Sequence, residues 1–470
     1  MYRMYISHSL LKKKGVDYMA SRTKKYEIDM CNGSIMKKMI MFAFPLMCSS
    51  MLQLLFNAAD IIVVGNYAGH NSLAAVGSTT SVINLLTNLF VGLSVGATVL
   101  VSHFYGAKQK EDLKTTVHTV VALSIASGLI MSVIGMVCTK QILIWMQTPA
   151  EVLDLAVTYL RIYFAGMLAT MVYNFGAAIL RAVGDTKRPL YYLALAGVIN
   201  VLLNLLFVIK LDMDVAGVAL ATVISQCISA LLVIRCLIKD KGDIHLDLRC
   251  LKIHKATFFK ILQIGLPAGF QGMLFSLANV VIQSSVNTFG DIVVAGSAAA
   301  SNIEGFVYMA MNAFHQAAIS FTSQNVGAGK HERINKILFT AQFYVILVGL
   351  VMGLTVVHFG EPLLGLYNDN PEVIAAGMIR LRYIVSLYFL CGMMDVMVGS
   401  LRGLGYAVMP MIVSLVGACL LRIVWLAVFF PMEQFHSIEM IYITYPVSWT
   451  ITFLAHVLCF TIVRRRLRRL

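Results

Sequence analysis

The sequence predicts an all-α membrane protein: twelve transmembrane helices in two parallel six-helix repeats, an N-lobe and a C-lobe, around a central cavity. Three observations predict it. The first is composition. Of 470 residues, 59% are hydrophobic and 13% charged, and mean hydropathy is +0.80. Soluble domains are about 45–50% apolar and about 25% charged. The second is an internal repeat at an offset of 221 residues. Arg161 answers Arg382, Leu180-Arg181-Ala-Val-Gly184 answers Leu401-Arg402-Gly-Leu-Gly405, and Pro189 answers Pro410. Gly106-Ala107-Lys108 answers Gly327-Ala328-Gly329, and the first prolines, Pro45 and Pro267, lie 222 apart. The third is the sidedness of the charge. With the amino terminus inside, 31 of the 37 Lys and Arg fall on the inner side and two, Lys140 and Lys210, on the outer. The remaining four, Arg161, Arg380, Arg382 and Arg422, lie within spans.

Apolar stretches long enough to cross ~30 Å of hydrocarbon recur along the whole chain. They place spans at 37–65, 72–104, 114–138, 151–180, 189–210, 215–238, 261–287, 292–323, 337–358, 373–401, 408–430 and 440–463. Six spans per half is an even number, so both halves share one orientation and the repeat is parallel. Barrel strands would alternate apolar and polar residues over about ten positions, and these runs do not. The charge asymmetry follows the positive-inside rule and puts both termini in the cytoplasm of a cell-membrane protein.

The domain divisions follow. Residues 1–36 are a polar N-terminal tail, read as disordered, with Lys12-Lys13-Lys14 but no signal-peptide core. Met19 and Met30 are candidate starts. The N-lobe is 37–238, the cytoplasmic inter-lobe loop 239–260, the C-lobe 261–463 and the basic tail 464–470. That tail, Arg464-Arg465-Arg466-Leu-Arg468-Arg469, reads as a topology anchor on anionic lipid rather than a nucleic-acid arm, despite a net charge of +14.

Several classes are excluded. Nine cysteines show no C-x-x-C spacing and eleven histidines no H-x-x-x-H or H-E-x-x-H pattern, so neither a metal site nor a disulfide framework is expected. There is no G-x-x-x-x-G-K-[ST] loop, so no ATP-hydrolysing domain. An intramembrane enzyme would need a Ser/His or His/Asp/Glu cluster at catalytic spacing, and none is found. A channel needs a ring of equivalent pore residues, which a two-fold repeat does not form. No cofactor is expected beyond a coupling ion, H⁺ or Na⁺. The expected partners are small organic substrates and lipid, for a monomer.

Polar groups inside the spans are where function should lie, because each costs several kcal/mol unless it faces a cavity or a partner. Asp60 lies near the outer end of the first span. Asn200 and Asn204 are four apart on one face of the fifth, and Thr222 lies in the sixth. Asp60, Asn204 and Thr222 sit about 10 Å deep at 1.5 Å per residue, so groups on three helices can converge on one cation. The bland reading of the Asn and Thr residues is interhelical hydrogen bonding, and for Thr222 alone it is the stronger one. Asp60 demands a reason. In the second half, Glu304 lies in the eighth span and Asp395 in the tenth, one offset from Asn174. These three are expected at the substrate cavity, the acids as a negative wall. The alternative is a structural pair with a buried arginine, for which Arg422 is a candidate. Pro45 and Pro267 lack an N–H and clash with the preceding turn, so they are expected to hinge matching first helices.

Twelve spans in two halves, Leu180-Arg181-Ala-Val-Gly184-Asp185-Thr-Lys-Arg-Pro189 after the fourth span and Gly106-Ala107-Lys108 after the second resemble the MATE (multidrug and toxic compound extrusion) family, from about residue 34 onward. The DinF-like branch is most similar. The resemblance implies an N-lobe cation site of a first-helix Asp fifteen after a Pro (Asp60 after Pro45), a fifth-helix pair (Asn200, Asn204) and a sixth-helix Thr (Thr222). Several relatives carry Asp where Asn204 stands, which leaves Asp60 the site's only acid and favours H⁺ over Na⁺. Asp395 resembles a tenth-span acid of the NorM-like branch, with a spacing to Arg-Gly shorter by about a turn. What the resemblance implies is a cation-coupled antiporter exporting small amphipathic, cationic drugs or toxic compounds by alternating access. The rival is a lipid-linked precursor flippase of the wider superfamily, whose cavity should be strongly basic.

Overall fold

Long apolar runs make long helices, and the punctuation between them is mostly glycine. The computed structural model describes residues 26–468, the side chains at 70, 81, 85 and 468 excepted. The first lobe holds α1 (Ile35–Tyr67), α2 (His70–Gly106), α3 (Lys110–Trp145), α4 (Ala150–Ala165 and Met167–Ala182), α5 (Lys187–Asn204, continued as a π-helical turn over Leu205–Lys210) and α6 (Asp214–Lys239). The second holds α7 (Lys255–Asn287), α8 (Asp291–Gly327), α9 (Arg333–His358), α10 (Pro371–Ile384 and Phe389–Gly403), α11 (Val408–Val428) and α12 (Thr444–Arg468). Among the described residues, ten helices are long and apolar enough to span singly, and counting each bent pair as one span gives twelve. The bends fall in α4 (47°) and α10 (44°), the equivalent helix of each half.

The repeat extends to backbone geometry. Gly69 and Gly290 both have φ +88°, Gly184 has +96° and Gly405 +87°, each pair one offset apart. At a third equivalent turn Gly329 has φ +70° while the first half uses Lys108 at +57°, a conformation costing a non-glycine residue about 1–2 kcal/mol.

Core packing crosses the halves. Before Pro45, the α1 residues Ile35, Met39, Phe42 and Ala43 pack in one cluster with Phe314, Phe321 and Phe460 of the second half. Beyond it, Val63 and Val64 join the first-half core. Mirroring this, Ile261 before Pro267 lies in the first-half core, and Ile282 and Val286 lie in a second-half cluster. Both helices continue through their proline. Each proline therefore marks the level at which its helix changes lobe.

Loops rich in lysine and arginine share one face with residues 26–34 and with Arg464, as Lys330 meets Cys31 and Arg464 meets the His331 carbonyl; we call this face the basic end. Towards it the lobes close backbone on backbone. A Cβ at Gly92 or Gly96 of α2 would collide with main chain of α7, and at Gly106 with that of α8. Ser323 Oγ donates to the Val99 carbonyl (2.6 Å) and Gln324 Nε2 to that of Ala182 (2.7 Å).

Residues 26–34 add a strap across this seal. Its first part holds the first lobe: Arg188 lies 5.6 Å over the Tyr26 ring, the Tyr105 hydroxyl donates to Glu27 (2.9 Å), and Ile28 N–H donates to Gly184 O (3.3 Å). Its second part holds the second lobe. Asn325 donates to Met30 O (3.0 Å), Lys330 to Cys31 O (3.0 Å) and Arg333 to Gly33 O (3.0 Å). Met30 is fully buried. The expectation of a disordered tail over 1–36 therefore fails for 26–36, where main-chain acceptors and one buried methionine order a polar segment. Lys12-Lys13-Lys14 and Met19 lie outside the described residues. The inter-lobe loop 239–260 is also docked: Asp247 N–H donates to His118 Nε2 (3.1 Å) and His254 N–H to Thr119 Oγ1 (3.3 Å).

Candidate functional site

Four polar residues of the first lobe meet at one point. Asp60 on α1 is 9% exposed, Asn200 4% and Asn204 0%. Asn204 Nδ2 donates to Asp60 Oδ1 and to Asn200 Oδ1 (3.2 Å). Thr222 Oγ1 on α6 faces Asp60 Oδ2 at 3.4 Å, receives Asn200 Nδ2 at 3.3 Å and back-bonds to Val218 O at 3.0 Å. Helical spacing brings the two asparagines onto one face, and α5 turns π-helical immediately after Asn204. Such insertions recur at functional sites.

The cluster has one formal charge and one unmet valence. Asp60 is its only carboxylate. Asn204 Oδ1 is buried without a donor, which costs about 1–3 kcal/mol. A sodium ion would find oxygen donors here from Asp60, Thr222 and an asparagine amide, but a single negative charge. A proton needs only the Asp60 carboxylate. Once protonated, Asp60 has a hydroxyl that the orphaned Asn204 oxygen can accept after an amide flip. Tyr159 and Tyr163 on α4, stacked at 6.1 Å, lie within electrostatic reach of Asp60. Their aromatic spacing carried no sequence signal distinct from core packing.

The second lobe departs from expectation. Glu304 does face a cavity, of about 290 Å³, lined also by Arg380, Tyr308, Tyr388, Tyr442 and Tyr445. It forms no negative wall, because Arg380 grips both its oxygens (Nε–Oε1 2.7 Å, Nη2–Oε2 2.9 Å). Arg380 Nη1 also donates to Ser297 (2.8 Å). The buried partner is therefore Arg380 on α10, not Arg422, since α10 packs its arginine face onto α8. Asp395 lies outside that lining, with Tyr308 and Arg402 near its carboxylate, while His315 meets its backbone oxygen (2.6 Å). Asn174 is half-buried on α4 and is also absent from the cavity wall. Glu304 therefore shares this cavity with neither Asp395 nor Asn174. Arg402, which also donates to Gln271 (2.9 Å), and Arg380 are the residues the sequence reading passed over.

The MatE family model matches residues 45–206 and again 267–428, beginning at Pro45 and Pro267. Among curated relatives, the probable multidrug resistance protein YpnP of Bacillus subtilis is 29% identical over 401 residues, 85% of this chain and 90% of that protein. The FAD transporter of Shewanella oneidensis is 22% identical over 341 residues, 71% of this chain and 74% of that protein. A solved structure described as the outward-facing conformation of a multidrug resistance MATE family transporter of the MOP superfamily aligns with TM-score 0.89 at 22% identity. It covers 96% of this chain and 100% of that one, a likeness of fold. With two matches to the family model, one on each six-helix lobe, the chain belongs to the MATE family of multi-pass membrane transporters.

Proposed function

We propose that the chain is a proton-coupled antiporter that exports small amphipathic organic molecules across the cell membrane by alternating access. The observation that carries this reading is the buried Asp60, the only acid of a polar cluster built from α1, α5 and α6. The charge asymmetry supports a cytoplasmic basic end with both termini inside. On that orientation the sealed basic end makes this the outward-facing state. From the outside a proton reaches Asp60. Neutralising it removes the cost of a buried charge and lets α1 repack below Pro45's level. The ion drives the cycle only through its different affinity for the two states. Relatives are named for drugs and for FAD, so membership alone does not fix the cargo.

Dye efflux from everted vesicles, energised by ΔpH or by Na⁺ alone, tests the reading. Efflux driven by ΔpH and lost in Asp60→Asn is expected. Efflux driven by Na⁺ alone would replace the proton, and efflux indifferent to both gradients would overturn antiport.

A further inference from the structure

The starts of α1 and α9 leave an open groove of about 430 Å³ between them at the basic end. Gly33, Ser34 and Met36 contribute to it from one side, and Arg333, Lys336 and Phe339 from the other. The Tyr344 hydroxyl, donating to Met36 O (3.3 Å), ties the two helices together.

Charge decides what the groove can hold. Two cations line it, and no acid does among the described residues. Arg333 donates to the Gly33 carbonyl (3.0 Å) but forms no ion pair among the described residues, and the exposed Lys336 has no partner of either kind among them. Neighbouring lysines are already engaged: Lys38 donates to the Asp29 and Asn32 carbonyls (2.7 and 2.8 Å) and Lys330 to that of Cys31 (3.0 Å). The nearby acids do not answer the pair. Asp29 lies 3.9 Å from Lys38, and Glu332 precedes Arg333 without reaching the lining. The positive end of the 33-residue α1 opens on the same space and adds to the pull on an anion.

What lies beyond the groove identifies the occupant. From Phe339, 71% exposed, an apolar stripe runs along α9 through Phe343, Leu347 and Val351, all exposed and four residues apart. At 1.5 Å per residue the stripe is about 18 Å long, enough to cross one leaflet of a ~30 Å hydrocarbon core. Other spans expose apolar side chains as well; this stripe begins in a recess with two cations that no acid answers. A soluble anion would use the recess and leave the stripe idle. A zwitterionic headgroup would bring its own cation to two others. An anionic phospholipid uses both parts.

We propose that this groove is a binding site for an anionic phospholipid, with its phosphate on Arg333 and Lys336 and an acyl chain along Phe339, Phe343 and Leu347. Basic recesses between spanning helices on the cytoplasmic side suit such headgroups. The inference rests on the orientation adopted above, with the basic end at the cytoplasmic leaflet, and not on the cargo or the coupling ion.

The test is photolabelling of the full chain in phosphatidylcholine nanodiscs, which needs no gradient and so is read independently of efflux. The probe is phosphatidylglycerol carrying a diazirine in one acyl chain, and labelled peptides are mapped by mass spectrometry. Label in the peptides bearing Met36 and Phe339 to Phe343 is expected, displaced by unlabelled phosphatidylglycerol but not by inorganic phosphate. Lys336→Gln should lower it about fivefold, the weight of one basic residue at an anionic surface, and Lys336→Arg should keep it. Lys336 is exposed, so its replacement leaves the fold intact. Arg465→Gln with Arg466→Gln, two exposed charges lost from the tail, should leave the label unchanged. Equal labelling by a matched phosphatidylcholine probe would reduce the groove to ordinary lipid contact. Displacement by inorganic phosphate would make it a site for a soluble anion, and an equal fall in the tail variant would make it general surface attraction. Each of these three results overturns the proposal.

Discussion

Adding one methyl group at Gly265 should pry the lobes apart at the basic end. A Cβ there would lie 2.6 Å from Leu93 Cα, 3.0 Å from Gly92 O and 3.1 Å from Leu93 O. All three are backbone atoms, with no flexible side chain to yield. Ordinary Cβ contacts fall at 3.4–4 Å, so α2 and α7 must separate by roughly 1 Å in Gly265→Ala. Overpacking of this kind costs about 1–3 kcal/mol. Only the state sealed at this end bears it, so the equilibrium should move about 5- to 150-fold towards opening. Spin labels at the exposed positions Lys108 and Glu332, one per lobe, read the change by double electron–electron resonance in a background without native cysteines. Gly305→Ala is the control, because nothing lies within 4 Å of its added Cβ. A distance distribution identical in Gly265→Ala and Gly305→Ala would refute the argument that close backbone contact sets the seal.

Further outcomes follow from the same geometry. Glu304→Gln strands the buried Arg380 and should cost about 3–5 kcal/mol, while Glu304→Leu with Arg380→Met should be near neutral or stabilising; thermal unfolding in detergent compares them. Asn204→Asp sets a second carboxylate against Asp60, so Na⁺ should begin to stimulate efflux, measured in vesicles with and without a Na⁺ gradient. The strap's docking loop should weaken in acid. Burial and then Arg464 hold His331 below its ordinary value, against a smaller opposing effect of Glu332. The packed loop therefore favours neutral His331, and its stability falls as pH drops below about 6.5. Hydrogen exchange over residues 326–334, corrected for intrinsic rate, should lose protection between pH 7.5 and 5.5.

What was legible in the sequence was what hydropathy and spacing encode. Twelve spans and the two-fold repeat follow from apolar run lengths and shared anchors. The Asp60 cluster followed from polar residue types at matching depth. Depth along a helix is readable in this way, but rotation about its axis is not. Glu304 and Arg380 lie on separate helices of the second lobe, and which arginine meets Glu304 depends on how α8 and α10 turn towards each other. The sequence offered Arg422 equally well. The strap was illegible for another reason. Residues 26–34 look like a solvated tail because their polar groups are visible, while the acceptors they offer to Lys330, Arg333 and Asn325 belong to the backbone.

The change of lobe at Pro45 and Pro267 has a consequence for biogenesis. α1 leaves the ribosome before α2–α12, yet its first turns are completed by Phe314, Phe321 and Phe460, which are made much later. The first lobe therefore cannot finish packing during its own synthesis and must wait in the bilayer with a vacant seam. Reciprocal exchange of a leading helix between equivalent halves is the geometry of a swapped homodimer. A duplicated six-helix ancestor that already traded its first helix between two subunits would give this arrangement once the two genes fused.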